Sequence, residues 1–290
     1  MRVVPMVKRT IVCAVFALLF SSLGLAAGVG AAGAAAPAGY WAATSHGAVY
    51  PFGGASTLFG PASTIKGLQA PIVGIVATPS RNGYWMVAAD GGVFAFGQAK
   101  FYGSLGNLKL QQPIAGIVAS PSGHGYWLVG QDGGVFAFGD APFLGAVGVT
   151  TTPLETWIGI AATPSGRGYA VVSESGTVKS FGDGSTFFGP SPSHFDAMPG
   201  YVVGIQANSR GYWLFGSDGS VFAYQSAGFY GSMGNHRLNA QIVDMTTTRD
   251  GNGYWLVGAD GGVFAFGDAA FSGSAAAAQT HEPFVGITGS

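Results

Sequence analysis

The chain of 290 residues is 48% hydrophobic and 13% aromatic, with 50 glycines, only 9% charged residues and a formal net charge of -1. Disordered chains need low hydrophobicity and nucleic-acid-binding chains need clustered lysine and arginine, so both classes are excluded. The length suits one large all-β domain or two small ones.

Residues 1–36 read as an address rather than as fold. Arg2, Lys8 and Arg9 form a positive start, the apolar run "IVCAVFALLF" covers Ile11 to Phe20, and an Ala/Gly-rich tract follows with small-residue cleavage positions between Ala26 and Ala36. This is the pattern of a secretory signal peptide. A retained anchor is the rival, but the apolar core is shorter than the roughly 20 residues a spanning helix needs, so no membrane span is expected once the segment is removed. The single cysteine, Cys13, lies inside it. Residues 37–290 are therefore expected to carry no disulfide, no thiol nucleophile and no cysteine-ligated metal.

From Tyr40 onward the chain repeats itself. The tyrosine of each "GY" falls at Tyr40, Tyr84, Tyr126, Tyr169, Tyr212 and Tyr254, with spacings of 44, 42, 43, 43 and 42. Each unit reads as four short strands. The first is "PIVGI" at Pro71 or its echoes at 113, 156, 201, 241 and 283, and the second is "GYWLV" or a variant. Asp90-Gly91, Asp132-Gly133, Asp218-Gly219 and Asp260-Gly261 follow, the dipeptide favoured in two-residue hairpins. The third strand is "GVFAFG" and the fourth a short "FYGS". Strands two and three are apolar at nearly every position, which implies cover on both faces.

Four-stranded sheets repeating every ~42 residues match the blades of a β-propeller. The first unit starts at its second strand, and the strand it lacks stands alone at the C-terminus as "PFVGI", Pro283 to Ile287. The expected fold is all-β, a six-bladed propeller over 37–290 closed by pairing of its N- and C-terminal strands. Two β-trefoils or an open solenoid are the rivals, and neither explains the displaced strand.

The units "GYWMVAADGGVFAFGQAKFYGS" and "GYWLVGADGGVFAFGDAAFSGS" resemble the Gly-Tyr-Trp repeats of exported actinobacterial proteins, where such arrays stand alone or accompany cell-wall or ester hydrolase domains. The resemblance covers essentially all of the chain after residue 36. It implies an extracellular propeller-like array and brings no catalytic residue with it.

Within the repeat, Gly74, Gly116, Gly159, Gly204 and Gly286 stand where blades would crowd the axis. Trp41, Trp85, Trp127, Trp213 and Trp255 follow tyrosines, so the two rings point to opposite faces and are expected to pack against different neighbouring blades. The fourth unit departs from this, with Ala170 in the tryptophan position, Lys179 in place of the first phenylalanine of "GVFAFG", and Trp157 on the inner strand. Trp157 filling the space left at Ala170 is one account; a ligand notch edged by Lys179 is the other. Asp244 replaces the inner-strand glycine in "QIVDM". A carboxylate near the axis must be solvated or paired, and it could also hold a ligand in the channel.

Loops after strands one and three share one propeller face. That face gathers Arg81, His124, Arg167, Arg210 and Arg249 with Asp140, Asp183 and Asp268, an arrangement that reads as exposed ion pairs, or as a handle for an acidic wall polymer. The opposite face carries the longer, divergent connections, with His46, His194, Asp196, His236, His281 and Glu282. No HExxH or similar metal spacing is present, and no Walker loop, dinucleotide fingerprint or GxSxG elbow, so neither a metal nor a cofactor is expected. The leading reading is a secreted or cell-surface, non-catalytic binding or scaffold module for a cell-envelope polysaccharide or an extracellular protein. The alternative is an extracellular glycosidase or esterase with carboxylates or histidines on the long-loop face.

Overall fold

Apolar side chains at every second-strand position require a sheet neighbour on both sides, and the computed structural model supplies them. It describes residues 39–55, 65–148, 155–191, 200–276, 280 and 282–290. The signal segment called over 1–36 lies outside these. Blade 1 holds β1 (Gly39–Thr44) and β2 (Val49–Gly53), and blade 2 holds β3 (Ile72–Ala77), β4 (Gly83–Ala88) and β5 (Val93–Gly97). Blade 3 comprises β6 (Ile114–Ala119), β7 (Gly125–Gly130) and β8 (Val135–Gly139). Blade 4 comprises β9 (Trp157–Ala162), β10 (Gly168–Ser173), β11 (Val178–Gly182) and the short helix α1 (Gly184–Phe188). Blade 5 is β12 (Val202–Ala207), β13 (Gly211–Gly216) and β14 (Val221–Gln225); blade 6 is β15 (Ile242–Thr247), β16 (Gly253–Gly258) and β17 (Val263–Gly267). The last strand, β18 (Phe284–Gly289), pairs antiparallel with β1 and completes blade 1, placing Trp41 opposite Thr288 and Ala42 opposite Ile287. All six middle strands are buried along their whole length.

The inner strands touch in the cyclic order β3, β6, β9, β12, β15, β18 and back to β3. One backbone bond recurs at every junction. The N–H opening each inner strand donates to a hairpin carbonyl of the preceding blade: Ile72 to Ser45, Ile114 to Ala89, Trp157 to Gln131, Val202 to Glu174, Ile242 to Ser217 and Phe284 to Ala259, at 2.8–3.0 Å. The fold is a six-bladed β-propeller closed at its termini. Closure of this kind gives blade 1 its inner strand and leaves only short strand edges at the rim of the ring.

Among the described residues the blades are three-stranded, not four-stranded. The "FYGS" segments join no sheet, because Gly103, Gly145, Gly231 and Gly273 take φ of 130–136°, which turns the chain out of strand geometry. Aromatic side chains hold these segments instead. The Trp85 indole N–H donates to the Lys100 carbonyl at 2.8 Å. From the next blade, the Tyr126 hydroxyl donates to the Gly103 carbonyl at 2.6 Å and accepts the Tyr102 N–H at 3.2 Å. Tyr169, Tyr254 and Tyr40 do the same at three further junctions. Tyr126→Phe keeps the ring and removes both bonds; it is expected to lower the unfolding free energy by about 1–2 kcal/mol in urea titrations. No measurable loss would mean that packing alone holds the outer segment.

The Asp-Gly turns also differ from the two-residue form. Gly91 donates to the Ala88 carbonyl and Ala88 to the Gly92 carbonyl, which makes a three-residue loop with only the glycine at positive φ, 81°. The aspartate serves as an Asx cap, Asp90 Oδ1 accepting the Gly92 N–H at 2.9 Å.

Each middle-strand tryptophan packs on the tyrosine of the following blade, with ring centroids 5.3–5.9 Å apart at five junctions including Trp255 on Tyr40. At the sixth, between blades 4 and 5, Ala170 leaves no ring. The space is filled by Phe188 of α1, fully buried and 5.2 Å from Tyr212. Trp157 does not fill it. It lies opposite Ser173, at the other end of the ladder from the Ala170–Ala161 pair, and packs among Trp127 and Tyr169.

Candidate functional site

The inner strands enclose an axial cavity of about 630 Å³, walled by their Val, Ile, Ala and Gly residues and reached at one end by Pro79, Pro121, Pro164, Ser209 and Arg249. Its size falls within the range of about 300–1,000 Å³ typical of small-ligand sites. Small residues keep the axis narrow: a Cβ on Gly286 would lie 2.9 Å from Ile75.

Among the described residues, Asp244 is the one carboxylate lining this cavity. Oδ1 accepts the Met245 N–H at 2.8 Å and Oδ2 accepts the Ile287 N–H, on the closing strand, at 2.9 Å. Burial pushes its carboxyl up to about 7, outweighing the two backbone bonds that favour the charged form. Two threonines act alongside it. Thr246 Oγ1 accepts the Gly289 N–H at 3.2 Å, and Thr288 Oγ1 accepts the Ala77 N–H at 2.8 Å. Where these threonines stand, the other inner strands carry Val76, Val118, Ala161 and Gln206. Asp244 thus joins Thr246 and Thr288 in stitching the inner strands of blades 6, 1 and 2 across the seam where the ring closes.

The cationic loops do not form the expected ion pairs. Asp140 accepts hydroxyls from Ser120 and Ser122, Asp183 from Thr163 and Ser165, and Asp268 from Thr248. These carboxylates cap their own blades because hydroxyls three and five residues before the "GY" strand reach them without spanning a blade. Arg81 takes φ of 57° where Gly123, Gly166 and Gly251 stand in sister loops, and its Nη1 donates to the Ser290 carbonyl at 3.0 Å. Desolvation, with Arg249 nearby, holds its pKa below the ordinary arginine value. Arg210 Nη2 donates to the Asp250 and Gly251 carbonyls and to Asn252 Oδ1 at 2.8–3.1 Å, tying blade 5 to blade 6. Arg210→Ala is expected to cost about 1 kcal/mol, equally at low and high salt, because the acceptors are neutral. A cost that shrinks as salt rises would restore the ion-pair account.

Lys179 and Arg167 are exposed, and the notch suggested for Lys179 is closed by Phe188. His236 is also exposed, apart from the His46 Nδ1, which lies 3.6 Å from Glu282 Oε2. His194, Asp196 and His281 lie outside the described residues. Two features escaped sequence reasoning. Phe101, Phe143, Phe229 and Phe271, at equivalent positions of four blades, are 59–63% exposed. A second hollow of about 240 Å³ lies between blades 2 and 3. The phenylalanines were visible as a repeat, but their exposure follows only from the loss of the fourth strand.

No protein-family model matches the chain, and no curated protein matches it in sequence. Among solved structures it is similar to the β-propeller domain of Cps50 (Swd1) from Myceliophteria thermophila, with a TM-score of 0.51, 10% identity and 81% of each chain covered. At that identity the likeness concerns the fold alone.

Proposed function

We propose that this protein is an exported, non-catalytic binding module for a cell-envelope glycan. The observation that carries the reading is the set of four exposed phenylalanines, Phe101, Phe143, Phe229 and Phe271, held at equivalent positions on a rigid ring. An aromatic face is a platform for the C–H face of a sugar, and single rings separated by whole blades suit a repeating polymer better than one continuous protein interface. The signal-like segment at 1–36 and the resemblance to exported Gly-Tyr-Trp repeat proteins support export to where such polymers lie. Retention of the purified chain on envelope polysaccharide or peptidoglycan, with soluble product assayed in the same tubes, tests the reading. Retention without product is expected, and alanine at all four phenylalanines should reduce it at least severalfold. Released product would establish a hydrolase instead, and retention only on an extracellular protein would replace the glycan as ligand.

A further inference from the structure

The hollow between blades 2 and 3 is lined by Asn82, Gln98, Lys100, Tyr102, Ser122 and His124, among others; among the described residues no carboxylate lines it, although Asp140 accepts the Ser122 hydroxyl at 2.6 Å. Its chemistry comes from a local departure in the repeat. Where blades 3, 4 and 6 place Asp140, Asp183 and Asp268, blade 2 has Gln98. The aspartate cap is replaced by an amide pair: Asn82 Nδ2 donates to Gln98 Oε1 at 2.8 Å, while Asn82 Oδ1 accepts the Ser80 and Thr78 hydroxyls. Lys100 occupies a position held by Pro142, Gly228 and Ala270 in blades 3, 5 and 6.

The floor is fixed. Tyr102 packs near Trp85 and Tyr126, and its hydroxyl reaches across the junction to the Gly123 carbonyl at 3.3 Å. At the corresponding junction of blades 5 and 6, Gly251 accepts from Tyr230 in the same way, but Arg210 also donates to it and spans the space. The blade 2–3 groove is left open, with an aromatic wall, neutral amides and a hydroxyl, and a lysine and a histidine among its lining.

We propose that this groove binds a carboxylate-bearing sugar residue of a polysaccharide, the ring against Tyr102, the carboxylate at Lys100 and His124, and the hydroxyls at the Asn82–Gln98 amides. Its volume admits one sugar ring, so the specificity lies in single acidic residues along a chain. The assignment rests on the reading of the protein as a glycan-binding module and names the class of glycan. A lysine beside an imidazole that can donate a hydrogen bond favours an anion, and amides beside an aromatic ring favour a polyhydroxylated ring over a bare anion.

Calorimetric titration of the purified chain with hexagalacturonate and with cellohexaose tests this. Hexagalacturonate should bind at least about tenfold more tightly than the neutral hexamer and should weaken with salt. Lys100→Met should lose about tenfold for the acidic ligand, Lys100→Arg should retain most of the affinity, and Arg237→Met, at an exposed cation between β14 and β15, should change nothing. Lys100 is exposed, so urea midpoints of its variants should match the parent and separate lost binding from lost folding. Equal binding of both hexamers, an unaffected Lys100→Met chain, or equal binding of hexaglutamate would each overturn the assignment. If the chain is retained on envelope polysaccharide while hexagalacturonate fails to bind, the groove assignment falls and the broader reading stands. If no saccharide is retained at all, both fall.

Discussion

Phe188→Ala is expected to destabilise the propeller by about 3–5 kcal/mol, the range for removing a fully buried aromatic ring. Among the described residues, Phe188 is the fully buried ring between Ala170 and Tyr212, at a junction whose five counterparts each hold a Trp–Tyr pair. The cavity opened there would lie between two blades, where collapse is opposed by the rigid strands on either side. Ala170→Trp alone should also destabilise, by about 1–3 kcal/mol, because the site is already full. The double variant should lose less stability than the sum of the two single losses, since the new indole would occupy the space that Phe188 leaves. Urea unfolding of the three chains gives the coupling directly. Additive losses, or a loss below about 1 kcal/mol for Phe188→Ala, would show that the junction does not depend on volume.

The second large effect is the pH dependence set by Asp244. Its native carboxyl lies at about 7 against an ordinary value of 3.8, raised chiefly by burial. The folded state therefore binds more proton than the unfolded chain between those two values, and the stability contributed is fully present below the lower one and lost as pH rises through the upper one. Unfolding free energy should fall by on the order of 2–4 kcal/mol between pH 4 and pH 7.5 from this group alone. Asp244→Gly restores the residue present in the sister strands β3, β6, β9, β12 and β18, so the fold should persist and this fall should vanish. Urea midpoints for both chains across that range are the measurement. A parent profile that rises with pH, or an Asp244→Gly profile with the same slope as the parent, would remove the carboxyl from the account.

The ring was legible from sequence because each blade needs the same side chains at the same spacing, and because a strand missing from one end and present at the other has one simple use. The blade's width was not. "FYGS" has the composition of a strand, and only the backbone at Gly103 and its three counterparts shows that the segment leaves the sheet. The paired substitution at blade 4 was half visible. Ala170 announced a missing ring, but Trp157 and Phe188 were both near enough in sequence to replace it, and the ladder register decides between them.

Local spacing and strand composition thus determined the six blades, their apolar middle strands and the closure of β18 on β1. Tertiary structure decided what the polar exceptions do. Asp244, Thr246 and Thr288 became stitches at the seam because the neighbouring inner strand presents its N–H groups to them. Asp140 and Asp183 became caps because hydroxyls of their own blades lie closer than any arginine. Periodicity records which face of a strand is buried, but a hydrogen bond or a groove between blades joins residues one full repeat apart, and their meeting depends on the distance and angle at which the blades pack.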